Sequence, residues 1–161
     1  MTSRRAIVLA GLAGVMLGFA SSLVVERDVL AQSRGARRVI RPEKGPNTGL
    51  PFSPGVLVGN TLYISGHLGR DPSTNALVRG GIEPETRQSL ANIREVLKGA
   101  GMDFKDVTTV TAYIVSFTEF ATFNAIYRET FPNDQPARAT VQVAALNDGA
   151  RVELQMIAVQ P

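Results

Sequence analysis

Arg138 is the side chain of this sequence whose type and position are best suited to holding a carboxylate. It follows Pro136 at the start of an extended segment, so a rigid element would aim it. A guanidinium pairs with a carboxylate through two parallel hydrogen bonds and stays charged at any relevant pH. An arginine at such a place more often forms a surface or interface ion pair, so the residue type alone leaves both interpretations open.

Glu153 and Gln155 are the polar side chains of the last extended segment. On a strand, residues two apart project from the same face and lie about 7 Å from each other. A carboxylate can take a proton from an attacking water, and such general-base help contributes roughly 10²- to 10⁴-fold to a hydrolytic rate. Gln155 can hydrogen-bond a water, but it cannot accept the proton of that water.

The composition excludes several other kinds of chemistry. The sequence has no cysteine, which rules out disulfide scaffolds, thiolate catalysis and metals bound by cysteine. Its single histidine is His67, so a Ser-His-Asp triad or a cluster of histidine ligands has little material to work with. No spacing of carboxylates indicates a metal site, and we expect none.

The charge of the chain is concentrated at one end. The 161 residues carry 17 Lys and Arg against 14 Asp and Glu, yet residues 39–161 contain 11 basic and 12 acidic side chains. The basic excess therefore lies near the N-terminus, at Arg4, Arg5, Arg34, Arg37 and Arg38. A basic patch at the end of a chain is typical of a targeting segment or a linker, so we expect no nucleic acid as a partner.

Residues 1–31 have the pattern of an export segment. Arg4 and Arg5 precede an uncharged apolar run over residues 6–25, and small or modest side chains at the expected places allow cleavage after Ala31. The two arginines also match the start of a twin-arginine signal in part. The apolar run is equally long enough to span a bilayer as an uncleaved anchor, so a signal peptide and an anchor both remain open.

Both interpretations predict that the chain is exported. Residues 32–38 are predicted to form a basic linker, and residues 39–161 the domain. With the arginines held inside, the domain lies on the far side of the membrane: periplasmic or secreted, or anchored and facing the periplasm.

Local patterns predict the elements that must position Arg138 and Glu153. They are a short first strand at residues 39–40, a β-hairpin over residues 55–65, a helix over 84–99, a strand over 107–115, a helix over about 118–131, and strands over 139–143 and 152–159. Two helices on such a sheet cover one face and leave the other bare. A bare apolar face predicts burial by self-association.

Five segments together resemble the RidA/YjgF family, and they occur in the order that the family has. The resemblance covers nearly all of residues 39–161. The segments are residues 62–67 (LYISGH), 86–93 (TRQSLANI), 120–127 (FATFNAIY), 136–143 (PARATVQV) and 151–158 (RVELQMIA).

The resemblance implies an α+β, chorismate-mutase-like single domain with a mixed sheet and two helices packed on one face. It also implies a homotrimer with three active sites in the clefts between subunits. The implied reaction is hydrolysis of 2-imino acids, or their enamine tautomers, to 2-keto acids and ammonia, with no cofactor. The expected partners are a small 2-imino or 2-keto acid and further copies of this chain, with a membrane contact only through residues 6–25 if these are retained.

The resemblance assigns the substrate carboxylate to Arg138 and the attacking water to position 155. Relatives commonly have an acid at the position of Gln155, whereas this chain has an amide there. We therefore expect an imine deaminase weakened by this change. The alternative is a catalytically weak trimer that binds small carboxylates, or an interaction module.

Further positions of the family's cleft are predicted to contact the substrate. Phe52 stands where many relatives have tyrosine, so it offers an apolar wall without a hydroxyl. The other predicted substrate-binding residues are Ser65, Gly66, Asn124 and Thr140. His67 stands where relatives often have glutamine, and we expect it at the edge of the pocket or at an interface.

Overall fold

The computed structural model describes residues 35–46 and 49–161. The predicted export segment at residues 1–31 lies outside these residues. Within the described part of the chain, no helix combines the length and the apolar character needed to cross a membrane.

One mixed sheet organises the fold. In the described residues its six strands are ordered β1-β2-β3-β6-β4-β5. β4 and β5 run parallel, and the other neighbouring pairs are antiparallel. The strands are β1 (Arg37–Ile40), β2 (Gly55–Val58), β3 (Thr61–Leu68), β4 (Val107–Ile114), β5 (Ala137–Gln142) and β6 (Val152–Val159).

Two helices, α1 (Ile82–Gly99) and α2 (Phe120–Thr130), pack against this sheet in the described part of the chain. In α1 the apolar side chains at helical spacing, Leu90, Ile93 and Leu97, are buried in the core. This arrangement confirms the predicted α+β single domain with a mixed sheet and two helices.

The hairpin predicted from residues 55–65 is confirmed. β2 and β3 are joined at Gly59, whose φ of +60° is the left-handed conformation that glycine adopts without strain. Along β3, Leu62 and Ile64 are buried while Tyr63 is exposed. The alternation shows that one face of the sheet turns towards the core and the other turns away from the helices.

The face that points away from the helices carries exposed apolar side chains. Tyr63 and Val141 keep 51% and 44% of their surface exposed there. The single chain therefore has the bare face that the sequence predicts. Its burial in a homotrimer stays a prediction.

Two strands begin earlier than the local sequence indicates. β1 starts at Arg37, inside the predicted linker at residues 32–38, because Arg37 and Arg38 pair with β2. β5 starts at Ala137, because its pairing with the parallel strand β4 extends to that residue. In both places a neighbouring strand supplies the hydrogen bonds that fix the conformation, and no local pattern shows them.

Candidate active site

A cavity of about 560 Å³ opens where the segments 41–46 and 49–54 face strands β3 and β6. Phe52, predicted as an apolar wall, lines it and stands 49% exposed at its rim. The side opposite this loop is formed by Gly66, His67, Leu68, Arg70, Asn147 and Glu153. The loop side therefore combines the apolar Phe52 with the charged residues Arg41 and Glu43, and the facing side is rich in polar groups.

Glu153 brings a half-buried carboxylate from β6 to this cavity. It packs so closely against Gly66 that a Cβ built on the glycine would overlap Oε1 of Glu153. Burial raises the pKa of Glu153 above the ordinary value of a glutamate. A carboxylate with a raised pKa is a stronger proton acceptor, and at neutral pH it can act as a general base.

A β-bulge in β3 allows this close approach. Ile64 pairs with Met156 and His67 with Leu154, so β3 has one residue more than β6 between these two pairs. Such a bulge bends the strand and redirects the backbone at Ser65 and Gly66. It turns Gly66, rather than a bulky side chain, towards the carboxylate.

Ser65 and His67 fix the loop that carries Phe52. The Ser65 hydroxyl donates to the carbonyl of Ser53 at 2.6 Å, and its backbone N–H donates to the carbonyl of Pro54 at 3.0 Å. Nε2 of His67 lies 3.5 Å from the same Pro54 oxygen, and burial lowers the pKa of His67. The predicted donor Ser65 thus positions the cavity wall, and His67 is a neutral residue at its edge.

Arg138 lies on the side of the sheet that faces α2. Its Nη2 donates to Oδ1 of Asn124 at 2.7 Å. The guanidinium carbon lies 4.4 Å from the centre of the Tyr127 ring, 5.3 Å from Phe123 and 5.8 Å from Phe120. Cation–π contacts of this kind orient an arginine while leaving N–H groups for a ligand. The aromatic residues of α2 are therefore both core and support for Arg138.

Arg138 and Gln155 lie on opposite faces of the sheet. Arg138 is in register with Val110, and Val110 with Met156, so Arg138 shares the core-facing side. Gln155 alternates with Met156 and is exposed on the bare face, where its Oε1 lies 3.5 Å from the Tyr113 hydroxyl. One chain does not bring these two predicted catalytic residues together.

The predicted site residues therefore form two groups. Phe52 and Gly66 line the cavity with Glu153, and Ser65 bonds the loop that forms its wall. Gln155 is not among the lining residues. The second group lies on β5 and α2: Arg138, Asn124 and Thr140, the last half-buried two residues along β5 from the arginine.

The resemblance assigns the attacking water to position 155 and gives Glu153 no role. A signal that could have favoured Glu153 is the Ser65-Gly66 pair, because a glycine at a strand interior marks a bulge or a close approach.

Comparisons with known proteins agree with this fold. A family model described as Endoribonuclease L-PSP matches residues 43–160. The chain is 46% identical over 124 residues to the human protein named 2-iminobutanoate/2-iminopropanoate deaminase, covering 77% of this chain and 90% of that protein. The crystal structure of RidA from the Antarctic bacterium Psychrobacter superposes with a TM-score of 0.74 at 36% identity, covering 76% of this chain and 99% of that one. A Rid-family protein from Yersinia pestis gives a TM-score of 0.75 at 36% identity, covering 78% and 100%.

Proposed function

Because this chain belongs to the RidA/YjgF family, whose family model carries the description Endoribonuclease L-PSP, we propose that it hydrolyses 2-imino acids, or their enamine tautomers, to 2-keto acids and ammonia. The name of the human relative supports this reaction class. Cleavage of RNA has no comparable support, since residues 39–161 carry 11 basic against 12 acidic side chains.

The observation that carries the proposal is the carboxylate of Glu153, held in the cavity against Gly66 with a pKa raised by burial. In this proposal Glu153 takes a proton from a water whose oxygen attacks the imine carbon, and the imine nitrogen gains a proton. The hydroxyl proton of the resulting aminol is transferred to its amino group, the C–N bond then breaks, and ammonia leaves as the keto group forms. Glu153 thereby takes the role that the resemblance assigned to position 155.

Arg138 holds the substrate carboxylate in this proposal, and it comes from a neighbouring copy of the chain. Two observations support this arrangement: Arg138 is not among the residues that line its own chain's cavity, and the sheet has an apolar face exposed. Asn124 and the aromatic rings of α2 hold the guanidinium in one orientation. A homotrimer with a cleft at each interface would join the two groups of residues three times.

The proposal is tested by measuring the ammonia that is released when the protein hydrolyses freshly generated 2-iminobutanoate. We expect Glu153→Gln and Arg138→Ala each to reduce kcat/KM by about 10²-fold or more, because each removes a group that acts on the reacting atoms or the carboxylate. Arg128→Ala, an exposed arginine of α2, is the matched control. Gln155→Glu should change kcat/KM by less than about threefold, since its side chain lies outside the cavity.

Two results would contradict the proposal. If the wild type hydrolyses the imine no faster than the buffer alone, the proposed activity is refuted and the alternative of a carboxylate-binding protein is favoured. A strong increase of kcat/KM in Gln155→Glu, together with an unchanged kcat/KM in Glu153→Gln, would assign the activation of the water to position 155 instead.

We also propose that the domain is exported. The support is in the sequence alone: Arg4 and Arg5 before the apolar run at residues 6–25. A reporter fused after residue 38 should appear outside the cytoplasm, and its mass would show whether cleavage occurs after Ala31. A reporter that stays in the cytoplasm would refute export.

A further inference from the structure

Arg70 is one of the two arginines that line the cavity, the other being Arg41, and the proposed reaction does not use it. It lies just after β3 and lines the same cavity as Gly66 and Glu153. Only 12% of its side-chain surface is exposed. A guanidinium that is largely shielded from water attracts an anion more strongly than one on an open surface.

The structure holds Arg70 at its backbone and at its guanidinium. The buried Asn92 amide donates to the carbonyls of Leu68 and Arg70 at 3.2 and 2.9 Å. Nη1 of Arg70 donates to the carbonyl of Asn75 at 2.8 Å, and Nη2 pairs with the carboxylate of Asp148. A guanidinium has more N–H groups than these two bonds use, so it is preorganised to bind a further anion.

The exposure of Asp148 and the space in the cavity both favour a ligand at Arg70. The Asp148 side chain is 54% exposed, so solvent screens its hold on Arg70. The cavity of about 560 Å³ is far larger than a three- or four-carbon imino acid requires. A longer substrate can therefore reach Arg70 while its reacting carbon lies beside Glu153.

We propose that Arg70 binds a second acidic group of the substrate, so that the cavity prefers 2-imino dicarboxylic acids over short apolar imino acids. This inference rests on the proposed function, in which Arg138 of a neighbouring copy takes the first carboxylate. Arg70 is then the residue that sets side-chain specificity.

Binding of the stable keto products tests this specificity without relying on turnover. 2-Oxoglutarate and 2-oxobutanoate are titrated calorimetrically into the wild type and into Arg70→Met and Asp148→Asn. The preference for 2-oxoglutarate should fall about tenfold or more in Arg70→Met, because a charge-assisted hydrogen bond is lost. It should rise in Asp148→Asn, because a competing carboxylate is removed.

The two variants break the same ion pair and are expected to act in opposite directions. A merely structural role would move the preference the same way in both. Arg87→Met, which breaks an exposed ion pair with Glu129, is the matched control and should leave the preference unchanged.

Three results overturn the inference. They are an unchanged preference in Arg70→Met, a shift of both variants in one direction, and binding of neither acid by the wild type. If the first of these results comes with an equal loss of affinity for both acids, Arg70 is assigned to the first carboxylate instead. Turnover of 2-iminobutanoate by the same preparation reports separately on the proposed function, so the two failures are distinguishable.

Discussion

Gly66 sets the position of the Glu153 carboxylate, so one added methyl group tests the proposed base without changing the base itself. In Gly66→Ala the new Cβ would overlap Oε1, and the carboxylate has to rotate away. The clash is with the end of a flexible side chain, so we expect the free energy of unfolding to change by about 1 kcal/mol or less. A displacement on the order of 1 Å at a reacting group reduces kcat/KM by about 10²-fold.

A double-mutant cycle that measures kcat/KM for 2-iminobutanoate tests this role of Gly66. Gly66→Ala should cost about 10²-fold in the wild type and less than about threefold in Glu153→Gln, because the group that it displaces is then already inactive. An equal loss in both backgrounds would refute the argument and show that Gly66 acts by another route. Gly99→Ala, whose new methyl would approach Cγ2 of Ile40 to 2.9 Å, is the control for crowding away from Glu153.

Three further outcomes are expected. Burial raises the pKa of Glu153, so kcat/KM should fall as pH drops through that value, and a pH profile of Glu153→Gln should lack this limb. The folded chain binds that proton more tightly than the unfolded chain, so the wild type loses stability as pH rises through the folded pKa. At neutral pH, Glu153→Gln should therefore unfold at a higher temperature than the wild type, as measured by circular dichroism, and the difference should disappear below about pH 4. A difference that grows in acid would contradict this expectation. Tyr127→Phe keeps the ring beneath Arg138 and should leave KM within about twofold, whereas Tyr127→Leu should raise KM about threefold or more; equal values would exclude the ring contact.

The elements of the fold follow from local sequence, because their causes are local. Gly59 and Asn60 predict the β2–β3 hairpin, and apolar residues at helical spacing predict α1. The polar start of β1 at Arg37 has no such signal, since its partner strand supplies the hydrogen bonds.

The site was predictable only in part, because it depends on pairing between distant strands. The type of Arg138 and the proline before it allow an anion-binding group, and the resemblance to the family selects that interpretation over a surface ion pair. That Arg138 and Gln155 face opposite sides is decided by the register of β4 with β5 and β6, which no short segment reveals. The bulge in β3 likewise places Gly66 against Glu153 through a contact between strands that are distant in sequence.

The separation of Arg138 from the cavity of its own chain has a genetic consequence. If each site takes its arginine from one chain and its glutamate from the next, two inactive variants can complement each other in a mixed oligomer. Arg138→Ala chains still offer Glu153, and Glu153→Gln chains still offer Arg138. Random mixing of equal amounts into rings would leave about a quarter of the sites intact, so activity would return on unfolding and refolding the two together.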